Sequence, residues 1–315
     1  MTLPATALVV LDFSGTLSIA GPGFAAPDTV AARLRDCGLW ELGIDSPQLF
    51  WERLVNPTWH RGSTTPDGYA AVLAGAAAGV LHERGRDVPP ATIERATAAF
   101  AGHYFAHCAI AAHWRGCLQR LVSLDHVATV VATDHYAEAT AHITAELATL
   151  GLGAVPVAHA GSAPVAGGGD VAARGHPLLI ANSADIGHHK SSPEFWRAVD
   201  DALPGRGAPP GARTVDGAPP GARTSDDVAE ARASPVAPVV LIDDFGENEQ
   251  DADHYADRER VRRRRRATAA AISAVFGVDP HVVPFVLPPQ AGDDDVADMV
   301  DAAERSTMTV LSGTP

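Results

Sequence analysis

Four short apolar runs in this chain each stop at a polar residue: residues 8–11 at Asp12, 126–132 at Thr133, 178–181 near Ser183, and 236–242 at Asp243. An apolar run this short, closed by a turn-forming residue, reads as a strand buried on both faces. Helical patterns at 137–150, 193–202 and 258–276 lie between or after these runs. Strands that alternate with helices build a mostly parallel sheet, an α/β fold. In such sheets the ligand crevice lies outside the carboxyl ends of the strands, where all four polar residues fall.

The stretch from about 27 to 116 is different. Its Ala-rich segments, such as 69–81 and 93–110, repeat apolar residues near every 3.6 positions, and no strand pattern interrupts them. Two segments read as insertions. Residues 153–176 are rich in Gly and Ala without periodicity, and 204–235 carry a repeat in which Gly-Ala-Pro-Pro-Gly-Ala-Arg-Thr at 207–214 recurs at 217–224. A Pro/Gly sequence of this kind cannot bury a core and is expected to be a disordered surface loop. The tail, 291–315, has one short amphipathic stretch and is expected to be peripheral.

Composition excludes some classes. With 46% hydrophobic residues and no long apolar run, the chain reads as globular, with no membrane span. A formal charge of −14 argues against nucleic acid as a partner. Three widely spaced cysteines and an N-terminus without a signal pattern point to reduced thiols and a cytoplasmic address. Lys190 is the only lysine in the chain.

The polar residues at the strand ends have the chemistry of a site. In Asp12-Phe-Ser-Gly-Thr16 a carboxylate at a strand end can act as a nucleophile, and Gly15 lets the backbone turn tightly beside it. Thr133 precedes a helix, a ready place for a phosphate oxygen. Lys190 stands just before a Pro-started helix, within Ser183-Ala-Asp-Ile-Gly187-His-His-Lys190-Ser-Ser-Pro193-Glu-Phe-Trp196. There an ammonium could offset two approaching negative groups. Asp243-Asp244, with Asp12 as a third acid and Asn248 downstream, supply the oxygen ligands that Mg²⁺ prefers. Each feature alone has an ordinary alternative: an Asx turn at Asp12, a helix N-cap at Thr133, a solvated acidic turn at Asp243-Asp244.

Taken in order, these motifs resemble the haloacid dehalogenase (HAD) superfamily, in particular its phosphatase-like branch with a helical cap inserted after the first motif. The resemblance covers residues 8–17 and 126–252. It implies a Rossmann-like, mostly parallel core at 1–17 and 113–290 and an all-α cap at 18–112. It further implies a phosphorylated small molecule as substrate and Mg²⁺ as cofactor. Asp12 would be the nucleophile that forms an aspartyl-phosphate, and Lys190 would bridge nucleophile and phosphate. Ser14, Gly15, Thr16, Thr133, Asp134 and Lys190 would contact substrate. Asp12, the carbonyl of Ser14, Asp243, Asp244 and Asn248 would hold the metal.

One departure matters. The family's second acid, which protonates the leaving group, is Ser14 here. Either the leaving group departs unprotonated, or an acid comes from cap histidines such as His60, His103, His107 and His113, or the chain is a non-catalytic ligand-binding relative. A Schiff-base branch is excluded, since 18–112 contains no lysine. A metal-independent 2-haloacid dehalogenase is the alternative chemistry, but it leaves Asp243-Asp244 without a counter-ion. The run Arg262–Arg266 surrounds a helix at 100° per residue and reads as solvated charge, partly paired with acids such as Asp293-Asp-Asp295, with a patch for nucleic acid or another anionic partner as the alternative. His188-His189 lack further ligands at zinc spacing. Nothing in the sequence sets the oligomeric state.

Overall fold

The computed structural model describes residues 5–159, 176–204, 206, 236–249, 258–288 and 290–313. Six strands form one parallel sheet: β1 (Ala7–Leu11), β2 (Val127–Thr133), β3 (Ala154–Pro156), β4 (Leu178–Asn182), β5 (Val239–Asp243) and β6 (His281–Pro284). They lie in the order β3-β4-β2-β1-β5-β6. The α/β fold expected from the alternating pattern is present. The apolar runs at 8–11, 126–132, 178–181 and 236–242 fall on β1, β2, β4 and β5.

Period-two alternation divides the side chains of β1 between two cores. Ala7, Val9 and Leu11 pack with Trp114, Leu118, Ile143 and Leu147 of helices Trp114–Val122 and Glu138–Thr149. Leu8 and Val10 face the other way, toward Phe195, Trp196, Ile272 and Phe276 of helices Pro193–Ala202 and Arg258–Phe276. A third core belongs to the helical segment between β1 and β2. Leu34, Phe50, Leu73, Leu81 and Phe100 meet there, joined by Tyr136 from the loop after β2.

Three expectations need correction. The segment at 153–176 opens with the edge strand β3 and a short turn at Val157–His159, so its start belongs to the sheet; residues 160–175 lie outside the described residues. The tail is not peripheral. Helix Asp293–Leu311 lays Val296, Val300 and Ala303 into the first core, over β6 and helix Trp114–Val122. Its apolar residues recur every three to four positions, enough to cover one sheet edge. Of 204–235, all but Pro204 and Arg206 lie outside the described residues. Arg206 is buried and ion-paired with Asp200 at 2.7 Å, so it belongs to the core.

Among the described residues, no helix is long and apolar enough to cross a membrane.

Candidate functional site

β1 lies between β2 and β5, so the chain leaves it in opposite directions on its two sides. This is the switch point at which a crevice opens in a parallel sheet. Asp12 follows β1 directly, and its amide donates to Ile242 O at 2.9 Å, extending the ladder with β5 by one step. Its carboxylate is therefore fixed at the sheet edge. Thr133 ends β2, Asp243 ends β5 and Asp244 follows it, all buried.

Lys190 reaches this point from the loop after β4. Its ammonium donates to Asp12 Oδ1 at 2.5 Å and to Asp243 Oδ2 at 2.9 Å. The backbone of Lys190 is held on both sides: its amide donates to Asp134 Oδ1 at 2.8 Å, and its carbonyl accepts from the Trp196 indole at 2.6 Å. Pro193 starts the following helix and Ser192 caps it, accepting from Glu194 N. The lysine thus projects from a short, doubly anchored turn.

Asp12, Asp243 and Asp244 bring carboxylate oxygens within 4.8 Å of one another. Burial pushes the Asp12 carboxyl well up from the ordinary carboxylate range; Lys190 opposes this and Asp243 adds to it. Asp244 is raised as well, first by burial and then by the charges of Asp12 and Asp243. Burial alone would lower Lys190, but the carboxylates around it outweigh that and hold it charged. Three buried acids share one ammonium, and the raised Asp12 and Asp244 carboxyls reflect burial and the crowding of negative charge that a cation would relieve. A hard divalent cation with oxygen ligands, such as Mg²⁺, fits this donor set.

The neighbouring residues lock the loops. Gly15 adopts φ +80°, and a Cβ there would lie 2.4 Å from Asp244 Oδ2, so only glycine lets the turn after Asp12 pass so close. Gly15 N donates to Ser18 O at 2.9 Å, and the Thr16 hydroxyl accepts from Asp244 N at 3.1 Å. Both were expected at substrate; both instead tie the Asp12 loop, Thr16 to the acidic pair. Asn248 also departs from its expected place in the metal shell. Its amide nitrogen donates to Gly15 O at 2.7 Å and Phe285 O at 2.8 Å, while its amide oxygen accepts from Leu287 N at 2.8 Å. The side chain joins three loops and leaves the carboxylates as the donor set. Asp134, whose Oδ1 holds Lys190 N, is a positioning residue at the cavity edge.

The carboxylates open into a cavity of about 780 Å³, which Ser14, Thr133, Asp134 and Lys190 also line. Its far wall is aromatic: Phe24, Phe50, Trp51, Trp59 and Tyr69 come from the helical segment, and Tyr136 from the loop after β2. Phe50 and Trp51 sit on a wide π-type turn, Phe50–Val55, an irregularity common at functional sites. Three contacts fasten this segment over the sheet. Glu138 accepts from Tyr69 N at 2.7 Å and Ala70 N at 3.3 Å, capping helix Tyr69–Glu83. His189 Nε2 meets Ser63 Oγ at 2.7 Å, and His135 Nε2 meets Tyr104 Oη at 2.9 Å.

Two histidines that sequence reasoning did not select therefore lie at the cavity. His135 Nδ1 accepts from Tyr136 N at 2.8 Å, so its proton sits on Nε2 and points to Tyr104. Burial lowers its pKa to about 3, keeping the ring neutral. None of His60, His103, His107 and His113 lines the cavity. His60 does pack its ring against His189, and His113 lies 3.5 Å from Asp293. The signal for His135 was its position two residues after a strand end; which residue faces the cavity depends on how the helices pack above it. Compared with other proteins by sequence, the chain matches no family model and no curated protein.

Proposed function

We propose that this chain is a Mg²⁺-dependent hydrolase of small phosphorylated molecules, built in the HAD manner, with Asp12 as nucleophile. The observation that carries the reading is the pairing of a buried strand-end carboxylate, Asp12, with the chain's only lysine, 2.5 Å away in the lining of a cavity. A carboxylate oxygen of Asp12 attacks phosphorus; the P–O bond to the leaving group breaks and its electron pair departs with the leaving oxygen. Water then hydrolyses the aspartyl-phosphate and restores the carboxylate. Lys190 offsets the like charges of Asp12 and the phosphoryl group as they approach. Asp12, Asp243 and Asp244, with the Ser14 carbonyl, are the groups that would hold Mg²⁺. When bound, Mg²⁺ supplies charge stabilisation to the phosphoryl oxygens. Thr133 lines the cavity on the β2 side; in this reading its hydroxyl would donate to a phosphoryl oxygen.

The helical segment serves as the cap. Closed over a bound substrate, its aromatic wall would exclude water from the reacting group and strengthen each charge interaction inside. That wall also suits an aryl leaving group, which matches a site whose usual acid is Ser14. The test is hydrolysis of a panel of aryl, acyl and alkyl phosphates with and without Mg²⁺, on wild type and Asp12→Asn. Mg²⁺-dependent phosphate release that Asp12→Asn abolishes supports the reading. Metal-independent turnover of a 2-haloacid, or tight metabolite binding without any turnover, would replace it.

A further inference from the structure

The arginine run is divided by the helix that carries it. Arg260, Arg263 and Arg264 line the cavity, alongside Glu249. At 100° per residue these three fall within an arc of about 100° on helix Arg258–Phe276. Arg262 and Arg266 fall on the opposite side, where they lie 3.8 Å and 3.3 Å from Glu259. One face of the run thus lies at the surface beside Glu259, and the other lines the ligand space.

Arg264 also has a local task. It donates to Phe245 O at 2.9 Å and covers Gly246, bracing the loop after the acidic pair. No such brace involving Arg263 is seen among the described residues, and its side chain is exposed at the cavity. Lys190 and the carboxylates line the cavity from the sheet edge, the aromatic wall belongs to the cap, and the arginines come from the helix beyond β5. A ligand that meets all three carries a phosphoryl group, an apolar body and a further negative charge. Resting on the hydrolase reading above, we infer that the substrate is a phosphate ester with a second anionic group, a carboxylate or another phosphate, read by Arg260 and Arg263. Guanidinium groups pair such oxyanions with two parallel hydrogen bonds, which gives selectivity as well as attraction.

The experiment compares 3-carboxyphenyl phosphate with phenyl phosphate, whose phenols are of nearly equal acidity. Rates and affinities are measured on wild type and on Arg260→Gln/Arg263→Gln, with Arg264 kept so that the loop stays braced. Wild type is expected to favour the carboxylated ester at least about tenfold in kcat/KM, and the double variant to lose most of that ratio. Equal rates on wild type, or a ratio that persists in the variant, overturn the inference and leave the hydrolase reading standing. A variant that loses both esters equally would show that the arginines hold the reacting phosphoryl group itself, which also overturns it. If wild type hydrolyses neither ester, the hydrolase reading fails. Calorimetric binding of the two esters then decides the arginine inference: tighter binding of the carboxylated ester, lost in the variant, supports it, and equal affinity overturns it.

Discussion

The ammonium of Lys190 stands 2.5 Å from the carboxylate of Asp12, although 178 positions separate them in the chain. Both are buried, and Asp243 shares the same ammonium. Removing the cation leaves two carboxylates facing each other away from water. Lys190→Met is expected to lower unfolding free energy by about 3–5 kcal/mol in the absence of metal. Adding Asp12→Asn to that variant should restore much of the loss, because one of the opposed charges is gone. Denaturant titration of the two single variants and the double variant measures this; additive effects would show that the pair is not coupled.

Ser14 is half-buried and lines the cavity; on the proposed reading it stands where a general acid would be needed. A well-placed general acid contributes about 10²–10⁴-fold for poor leaving groups and little for good ones. Wild type should hydrolyse aryl and acyl phosphates far faster than alkyl phosphates, with a rate that climbs steeply as leaving-group pKa falls. Ser14→Asp should rescue alkyl phosphates selectively and flatten that slope. A shallow slope in wild type would point to an acid elsewhere on the cavity wall.

His135 makes stability depend on pH in a defined direction. Burial lowers its pKa from 6.5 to about 3, so the folded state takes the neutral ring while the unfolded chain binds a proton below 6.5. The stabilisation is fully present above pH 6.5 and is lost as pH falls from there toward 3. Each unit of that fall costs up to about 1.4 kcal/mol relative to a protein without the group. Comparing melting temperatures of wild type and His135→Gln between pH 7 and 5 should show the wild type falling more steeply. Parallel curves would mean that the ring is hydrated or already charged.

The strands that sequence reasoning found were those buried on both faces, where an unbroken apolar run leaves no ambiguity. β3 and β6 escaped because three or four residues, each strand closing on a proline, carry no period. Asp12, Lys190, Asp243 and Asp244 were legible because each residue type is costly to bury at a strand end or tight turn without a task. Thr16 and Asn248 hold loops together, which the sequence did not signal: a hydroxyl and an amide serve a ligand or a loop equally well, and only their partners decide. Tyr104 and Arg263 reach the cavity through the packing of separate helices, which no local pattern encodes.

The boundary of the long Pro/Gly segment can be set from its anchors. Arg206 pairs with Asp200, Pro204 O accepts from Ala5 N at 3.3 Å, and Ala237 N donates to Thr6 O at 2.8 Å. Both ends therefore attach near the start of β1, at the opposite end of the sheet from Asp12. Replacing 207–235 by a short linker should leave kcat and Tm nearly unchanged, since loop length costs little closure entropy. A deletion that also takes Arg206 strands Asp200 and should lower Tm. Val300→Asp, in the C-terminal helix, should cost about 3 kcal/mol or more, since a charge would enter a core. Thermal scans of the three variants test these assignments together.

Tyr136 belongs by sequence to the sheet but packs within the core of the helical segment, its ring stacked on Tyr69 with centroids 4.0 Å apart. Separating the two parts means drawing that ring out of a foreign core, at a cost of about 2–3 kcal/mol in lost burial. At 1.4 kcal/mol per factor of ten, this ring alone lowers the population of the separated state roughly 30- to 150-fold. Any exchange of ligand that needs the two parts to separate would pass through that minority. Trimming this ring should therefore quicken the traffic through the cavity, whatever it does to the chemical step.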